Sequence, residues 1–480
     1  LDLSGLVHMN TMRAVCSASQ ARAIDERMRT RYGIGADRLM DAAATAAALR
    51  IRDMHPEPVP VHILAGPGHN GGDGWVIARI LSQCGYPTTV HSQTPIHPSQ
   101  RVAVEALRDS IRMEAGFGAV QTNAVIIDAL FGIGLNRPID AAHAEWIRAV
   151  NASGRPVWSV DMPSGLDATD GIAWGASVNA THTLAMGVFK SGYWAGAGTE
   201  RCGRIHLIPL GFPAHELSDV GAEVFFAEDP PGVRIRSGSH KYQRGTVHVV
   251  GGSAGMTGAV VMAAAGAWDG GAGAVIAHVP AGCLPAVEAH LLEPVKIGYG
   301  SAGSTAFTKH DTDAVIAMIR SKPGSLVIGP GLGRHPETIA FIRAVIAEID
   351  MPTVVDADAL AALPDRLPAV SVLTPHPGEL SAMAGSAADR WTDRRNLAQG
   401  LSGRTGASVV SKGQPTAVFT PDGRIRIAGY DTRPFSRMGA GDALAGRIGT
   451  YLTADGTSEA MVSALLAGVQ PKPDPQPTRT

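Results

Sequence analysis

The stretch LAGPGHNGGDGW at residues 64–75 leaves a strand-like run, turns on glycines and opens a helix-like one. Backbone N–H groups converge in such a turn and a helix start adds partial positive charge, so the stretch suits an anion. Asn70 and Asp73 set oxygen donors in it that fit a hydroxyl or a hard cation. Two further runs end in similar chemistry. IIDALFGIGLNRP places Asp128 ahead of a second glycine turn, and VDMPSG carries Asp161 and Ser164. Both aspartates could equally cap turns. In the second half, MGAGDALAG puts Asp442 at the mouth of a small-residue helix. A carboxylate there can take a proton from a hydroxyl while N–H groups hold developing phosphate charge; capping of its own helix is the competing role. Upstream lie GPGLGR (329–334), VVDADAL (354–360), TPHPGEL (374–380) and SKGQPTAV (411–418). His376, between two prolines, is rigidly presented. Lys412, before a glycine, is either a phosphate partner or a solvated charge.

Such residues need strands to aim them, and the sequence supplies strands in both halves. VHILAG (61–66), PTTVHS, AVIIDAL (124–130) and RPVWSVDMP (155–163) read as buried strands with helical stretches such as 74–85 between them. A second series follows: GTVHVVGGS (245–253), AGAVIAHVP (272–280), SLVIGPG (325–331), PTVVDAD (352–358), AVSVLTPHP (369–377) and ASVVSKG (407–413). The helix opened at 439–446 is the last clear element. This alternation predicts an α/β protein whose parallel sheets collect ligands beyond their carboxyl ends. At 480 residues, two domains are expected. Pro/Gly-rich AEDPPGVRIRSGSH reads as a linker, and the irregular QPKPDPQPTRT as a tail.

A formal net charge of −2 argues against an electrostatic grip on nucleic acid or anionic membrane. No apolar run approaches the ~20 residues of a membrane span. The opening LDLSGLVHMNTMRAVC lacks the plan of a signal peptide, and the four cysteines are widely spaced, so a cytoplasmic setting is expected.

The motifs GPGHNGGDG, IIDALFGIGLNRP, SVDMPSGLDATDG and GVFKSGY, taken in order, resemble the NAD(P)H-hydrate epimerase domain over residues 12–213. The set KYQRGTVHVVGGSAGMTGA, GPGLG, VVDADAL, TPHPGE, SKG and GAGD resembles the ribokinase-like superfamily. Within that superfamily it resembles the ADP-dependent NAD(P)H-hydrate dehydratase, over residues 240–466. The resemblance implies a Rossmann-like doubly wound sheet, a linker at 214–239, a ribokinase-like α/β sandwich, and an irregular tail at 467–480. It implies that Asn70, Asp128 and Ser164 hold a potassium ion. It also implies that His69, Asn70, Gly71, Gly72, Asp73, the turn Gly132, Ile133, Gly134, Leu135, Asn136, Arg137 and Pro138, and a catalytic Asp161 meet the hydrated dinucleotide. In the second domain, Ala259, Gly333, His376 and Asp442 would touch the hydrate, with Asp442 as base. Lys412, Gly413, Gln414, Pro415, Thr416 and Gly441 would hold ADP, which arrives with Mg2+. The implied partners are NADH and NADPH hydrates, ADP and further copies of the chain. The implied reactions interconvert the R and S hydrates and dehydrate the S form at the expense of ADP. A ribokinase-type kinase for a vitamin precursor shares the GAGD turn and is the alternative. A binding scaffold built on the first domain would have no use for the clustered oxygen donors. In this sequence His69 stands where the family carries an Asn, Ala42 replaces another Asn, and Ala440 replaces the Thr of the GAGD turn.

Overall fold

The computed structural model describes residues 13–106, 109–229, 245–433, 436–453 and 458–469. The chain divides into two compact units, 1–224 and 225–480.

The first unit is built on a seven-stranded parallel sheet. Its strand order is Ile111–Glu114, Thr88–His91, Val61–Ala65, Val125–Ala129, Val157–Val160, His182–Met186 and Arg204–Ile208. The order reverses between Val61–Ala65 and Val125–Ala129, so the crevice for a ligand opens where those two strands end. Successive residues serve opposite faces. Ile63 and Ile127 pack with helices Ala36–Met54 and His69–Gln83, whereas Leu64 and Ile126 pack with helix Ala141–Ala152. Apolar demand on both faces explains why these strands read as continuous hydrophobic runs rather than alternating ones.

Within the second unit nine strands follow in one sheet, in the order Ile425–Ala428, Ala417–Phe419, Ser408–Ser411, Ser371–Leu373, Thr353–Val355, Gly324–Ile328, Thr246–Val250, Ala274–Pro280 and Val295–Tyr299. It is parallel from Ser408–Ser411 to Val295–Tyr299; Ala417–Phe419 and Ile425–Ala428 add antiparallel strands. Helices Thr257–Asp269 and Ala440–Leu452 pack in close contact. A Cβ on Gly266 would stand 2.2 Å from the Ala443 carbonyl oxygen, and one on Gly446 1.9 Å from that of Ala263. The small residues of both helices are thus a packing requirement, which any side chain at either glycine would break.

The α/β class and the parallel sheets are as expected, but several boundaries differ. The helix expected over 74–85 begins at His69, because Gly71, Gly72 and Gly74 are inside it. Within the stretch read as linker, Ala214–Ser218 is helical and Ala222–Phe225 is a strand; 230–239 lies outside the described residues. A further helix, Ser458–Val469, follows the one at Ala440–Leu452, so 467–469 are helical rather than irregular. Its apolar run AMVSALLAGV buries Met461, Val462, Leu465 and Leu466 in the core, and burial overrides the weak helix signal. Residues 470–480 and 1–12 lie outside the described residues. No described helix is long and apolar enough to cross a membrane.

Candidate active sites

In the first unit, the strand ends at the reversal point approach so closely that only glycine fits. A Cβ on Gly66 would stand 1.9 Å from the Leu130 carbonyl oxygen, and one on Gly71 1.8 Å from that of Gly66. None of the glycines from 66 to 74 has a positive φ; they are needed for space rather than for left-handed backbone. Asn70 is buried in the first turn of the helix that starts at His69, and its Nδ2 has no hydrogen-bond partner among the described residues.

Asp128 is fully buried at its strand end and accepts four hydrogen bonds. They come from Ser159 Oγ (2.8 Å), Ser164 N (2.8 Å), Ser164 Oγ (2.5 Å) and Leu130 N (3.3 Å). Turn capping is therefore part of its role. Burial raises its carboxyl above the ordinary range, against those hydrogen bonds. Ser164 Oγ also lies 3.3 Å from the Phe131 carbonyl oxygen, so carboxylate, hydroxyl and carbonyl oxygens converge. Among the described residues no three His, Cys, Asp or Glu side chains group as a metal set. An oxygen-only cluster of carboxylate, hydroxyl and carbonyl suits a large monovalent cation.

Asp161 is one of two non-glycine residues with positive φ among the described residues, at 64°. Four contacts hold it there: its N–H donates to the Leu184 carbonyl (2.9 Å), its carbonyl accepts from Tyr193 Oη (2.6 Å), and its carboxylate takes Lys190 Nζ (2.5 Å) and Ile133 N (3.3 Å). A strained backbone so thoroughly tied is a mark of a functional position. Lys190 is itself buried and also donates to the Met186 carbonyl (2.9 Å). A Cβ on Gly132 would stand 3.2 Å from Asn70 Oδ1 and 3.2 Å from Asp161 Oδ2, so these three meet at one point.

Two more carboxylates face this pair. Burial, with Asp161 and Asp25 nearby, pushes Asp73 well above the ordinary carboxyl range. Asp25, on helix Ala18–Tyr32, reaches solvent but is ringed by protein; that loss of solvation moves it up to about 6. Of the expected contacts, His69 reaches solvent, and Gly134, Asn136, Arg137 and Pro138 are exposed in the turn beyond Ile133. Leu135 N turns back to the Gly132 carbonyl (3.2 Å). Sequence reasoning missed Asp25 and Tyr193 and gave Lys190 no role, although GVFKSGY was in view. A lysine pairs only with what the fold brings to it.

In the second unit, Gly329, Gly331 and Gly333 all have positive φ, and Gly333 N donates to Asp358 Oδ2 (2.9 Å). A Cβ on Gly331 would stand 3.0 Å from Ala259 Cβ, so Ala259 lies against the turn that carries Gly333. Lys412 Nζ lies 2.9 Å from Asp356 Oδ1 and 3.9 Å from Glu379 Oε2, and 3.2 Å from where a Cβ on Gly441 would be. Burial opposes its charge, but Asp356, Glu379 and Asp442 outweigh that and hold the ammonium above the ordinary lysine range. Asp442 lies in the first turn of Ala440–Leu452 and makes no side-chain hydrogen bond among the described residues, so it does not cap its helix. Burial, with Asp356 beside it, pushes its carboxyl up to about 7, against the pull of Lys412.

His376 is the N-cap of helix Pro377–Ala384: its Nδ1 accepts from Gly378 N (3.0 Å) and Glu379 N (3.2 Å). The cap fixes the ring and leaves Nε2 exposed, 3.4 Å from Glu379 Oε1. The 412–416 turn is shaped from inside. Thr416 Oγ1 donates to the Gly413 carbonyl (2.9 Å), and Gln414 Oε1 accepts from Thr432 N (2.8 Å). Buried Arg394 donates to the Pro415 carbonyl and to that of Lys412 (3.5 Å). Nothing in the sequence singled out Arg394, which is remote in the chain from the turn it supports.

A doubly wound parallel unit with clustered oxygens beyond its strand ends, and a second parallel unit with a carboxylate in the first turn of a helix, define an α/β enzyme. Residues 36–192 match the YjeF-related protein N-terminus family and residues 247–470 the NAD(P)H-hydrate dehydratase family. The chain is 31% identical over 477 residues to the bifunctional NAD(P)H-hydrate repair enzyme of Salinibacter ruber, covering 90% of this chain and 86% of that protein. It is 32% identical over 447 residues to that of Gloeobacter violaceus, covering 88% and 85%. A solved structure of ADP/ATP-dependent NAD(P)H-hydrate dehydratase from Bacillus subtilis, crystallised with ATP and Mg2+, is similar at 24% identity and a TM-score of 0.39. It covers 49% of this chain and 81% of that one. The chain belongs to the bifunctional NAD(P)H-hydrate repair enzyme family.

Proposed function

We propose that this chain repairs hydrated NADH and NADPH in two steps, one in each unit. The observation that carries the reading is Asp442, titrating near neutrality in the first turn of a helix beside Lys412. A base is most useful when its pKa is close to the working pH. Asp442 takes the proton of the nicotinamide-ring hydroxyl as that oxygen attacks the β-phosphorus of ADP, forming a phosphate ester and releasing AMP. Lys412 and the N–H groups at Gly441 steady the phosphate charge. The ring-nitrogen lone pair then expels phosphate, and loss of a proton from the neighbouring ring carbon restores the double bond. Mg2+ would accompany ADP and neutralise part of its charge; the carboxylates around Asp442 are engaged by Lys412, Arg334 and the His376 N–H, so the metal would be held chiefly by the nucleotide itself.

In the first unit, Asp161 and Lys190 form the acid–base pair for interconverting the R and S hydrates, with Asp73, whose carboxyl burial raises, near them. Asn70, Asp128, Ser164 and the Phe131 carbonyl would hold potassium, which supplies positive charge near the bound dinucleotide. The test is an equal R/S hydrate mixture given with and without ADP, following recovery of the reduced cofactor. Full recovery that requires ADP supports both activities. Recovery of half, with slow conversion of the remainder, removes the epimerase reading, and no recovery removes the dehydratase reading.

A further inference from the structure

The Asp442 site is bordered by thioethers that the reaction above leaves unused. Among the described residues of the second unit, six large apolar side chains are exposed: Met256, Met262, Trp268, Leu292, Val295 and Met438. Half are methionines, and all three lie along one edge of this site. Met256 precedes helix Thr257–Asp269, and its Cε is 3.8 Å from where a Cβ on Gly333 would stand. Met262 Cε is 3.2 Å from the corresponding position on Gly439, and the next residue back, Met438, is fully exposed. Residues 256, 259 and 262 recur at intervals of three, so Ala259 lies between the two thioethers on one helix edge. The edge therefore runs from the Gly329–Gly333 turn to the turn that carries Asp442.

We propose that Met256, Met262 and Met438 form an apolar rim that lies against the hydrated nicotinamide ring and positions it for Asp442. The proposal rests on the dehydratase reading. The occupant follows from where the edge stops: both its ends are turns of the site, and its middle is the expected hydrate contact Ala259. Phosphates would find no partner among three thioethers and are served instead by Lys412 and the N–H groups at Gly441. Methionine suits a flat, partly conjugated ring because its unbranched chain adapts and its sulfur is polarisable. These are positioning residues. They grip the ring equally before and during reaction, so their loss appears in KM rather than kcat.

The experiment uses the full chain with the S hydrate, ADP and Mg2+. Met262→Ala and Met438→Ala are expected to raise KM for the hydrate about fivefold each with kcat unchanged, and Met262→Leu and Met438→Leu to restore it. In parallel, the unsubstituted protein is treated briefly with hydrogen peroxide, which transfers one oxygen atom to a thioether sulfur and leaves as water. Peptide mass spectrometry then reads sulfoxide at each methionine. Saturating hydrate is expected to slow oxidation at Met256, Met262 and Met438 severalfold while leaving the exposed Met113 of the first unit unaffected. Turnover by the unsubstituted protein together with an unchanged KM in both Ala variants, or with equal oxidation with and without hydrate, overturns the rim. Absence of turnover in the unsubstituted protein overturns the dehydratase reading itself.

Discussion

Removing the Lys190 ammonium tests the first site at its most buried point. Lys190→Met keeps the chain length and deletes two hydrogen bonds, to Asp161 Oδ1 (2.5 Å) and to the Met186 carbonyl (2.9 Å). The Asp161 side chain is only 12% exposed and would keep Ile133 N (3.3 Å) as its remaining partner. Water cannot replace what is lost, so the cost is that of an uncompensated buried charge, about 3–5 kcal/mol. Asp161→Asn should cost a similar amount by stranding the lysine; Asn tolerates the positive φ there. The double variant carries neither charge and should cost only about 1–2 kcal/mol, a coupling of several kcal/mol in a double-mutant cycle. Urea unfolding followed by intrinsic fluorescence measures this, because five of the seven tryptophans (Trp75, Trp146, Trp158, Trp174, Trp194) belong to the first unit. With a slope of about 2–3 kcal/mol per molar urea, the single variants should move the midpoint down by roughly 1–2 M. If either single variant cost under about 1 kcal/mol, or the two costs simply added, the buried pair would not be what holds Asp161, and its role in epimerisation would lose its structural basis.

Dehydration should rise through pH about 7 as Asp442 loses its proton, falling about tenfold per unit on the acid side; a flat kcat/KM profile from pH 5 to 9 would remove Asp442 as base. Lys412→Met takes away a charge that lowers the Asp442 pKa and should shift that limb upward, with epimerisation untouched. Potassium should raise the melting temperature of the first unit by mass action, an increment that Asn70→Ala abolishes and that is read by calorimetry in potassium against tetramethylammonium salts. Acid should loosen the second unit early. Burial pushes His278 down to about 3, so the folded state holds it neutral while the unfolded chain takes a proton below about 6.5. The stability is complete above that pH and lost as pH falls toward 3, amounting to about 2 kcal/mol by pH 5. His278→Phe should flatten that slope in urea titrations at pH 5 and 7.

The central strands and both glycine-rich turns were legible because a strand buried on both faces must be apolar throughout and a close approach must be made of glycine. Strands toward the sheet edges, such as Ile111–Glu114, Arg204–Ile208 and Val295–Tyr299, carry exposed or polar residues and were not read. Asp128, Asp161, Ser164, Lys412 and Asp442 stood out for their place at strand and helix ends. The helix start at His69 was not legible, since Gly71 and Gly74 discourage helix and are there only because Gly66 and Ala129 leave no room for a side chain. The helix Ser458–Val469 was missed for the opposite reason: its stability comes from burial against the core rather than from caps or propensity.

What the sequence determined by itself was the α/β class, the motifs and the family they resemble, because these depend on periodicity and on residues fixed by local backbone geometry. Only the tertiary structure decided which charges face one another. Lys190 meets Asp161 from 29 residues away, and Arg394 reaches back to the turn at Lys412 and Pro415. Burial pushes the Asp442 carboxyl up to about 7, and Asp356, Glu379 and Asp358, which come from other parts of the chain, add to that rise. Electrostatic and desolvation energies depend on distance in space and on exclusion of water, and a chain acquires both only when it folds.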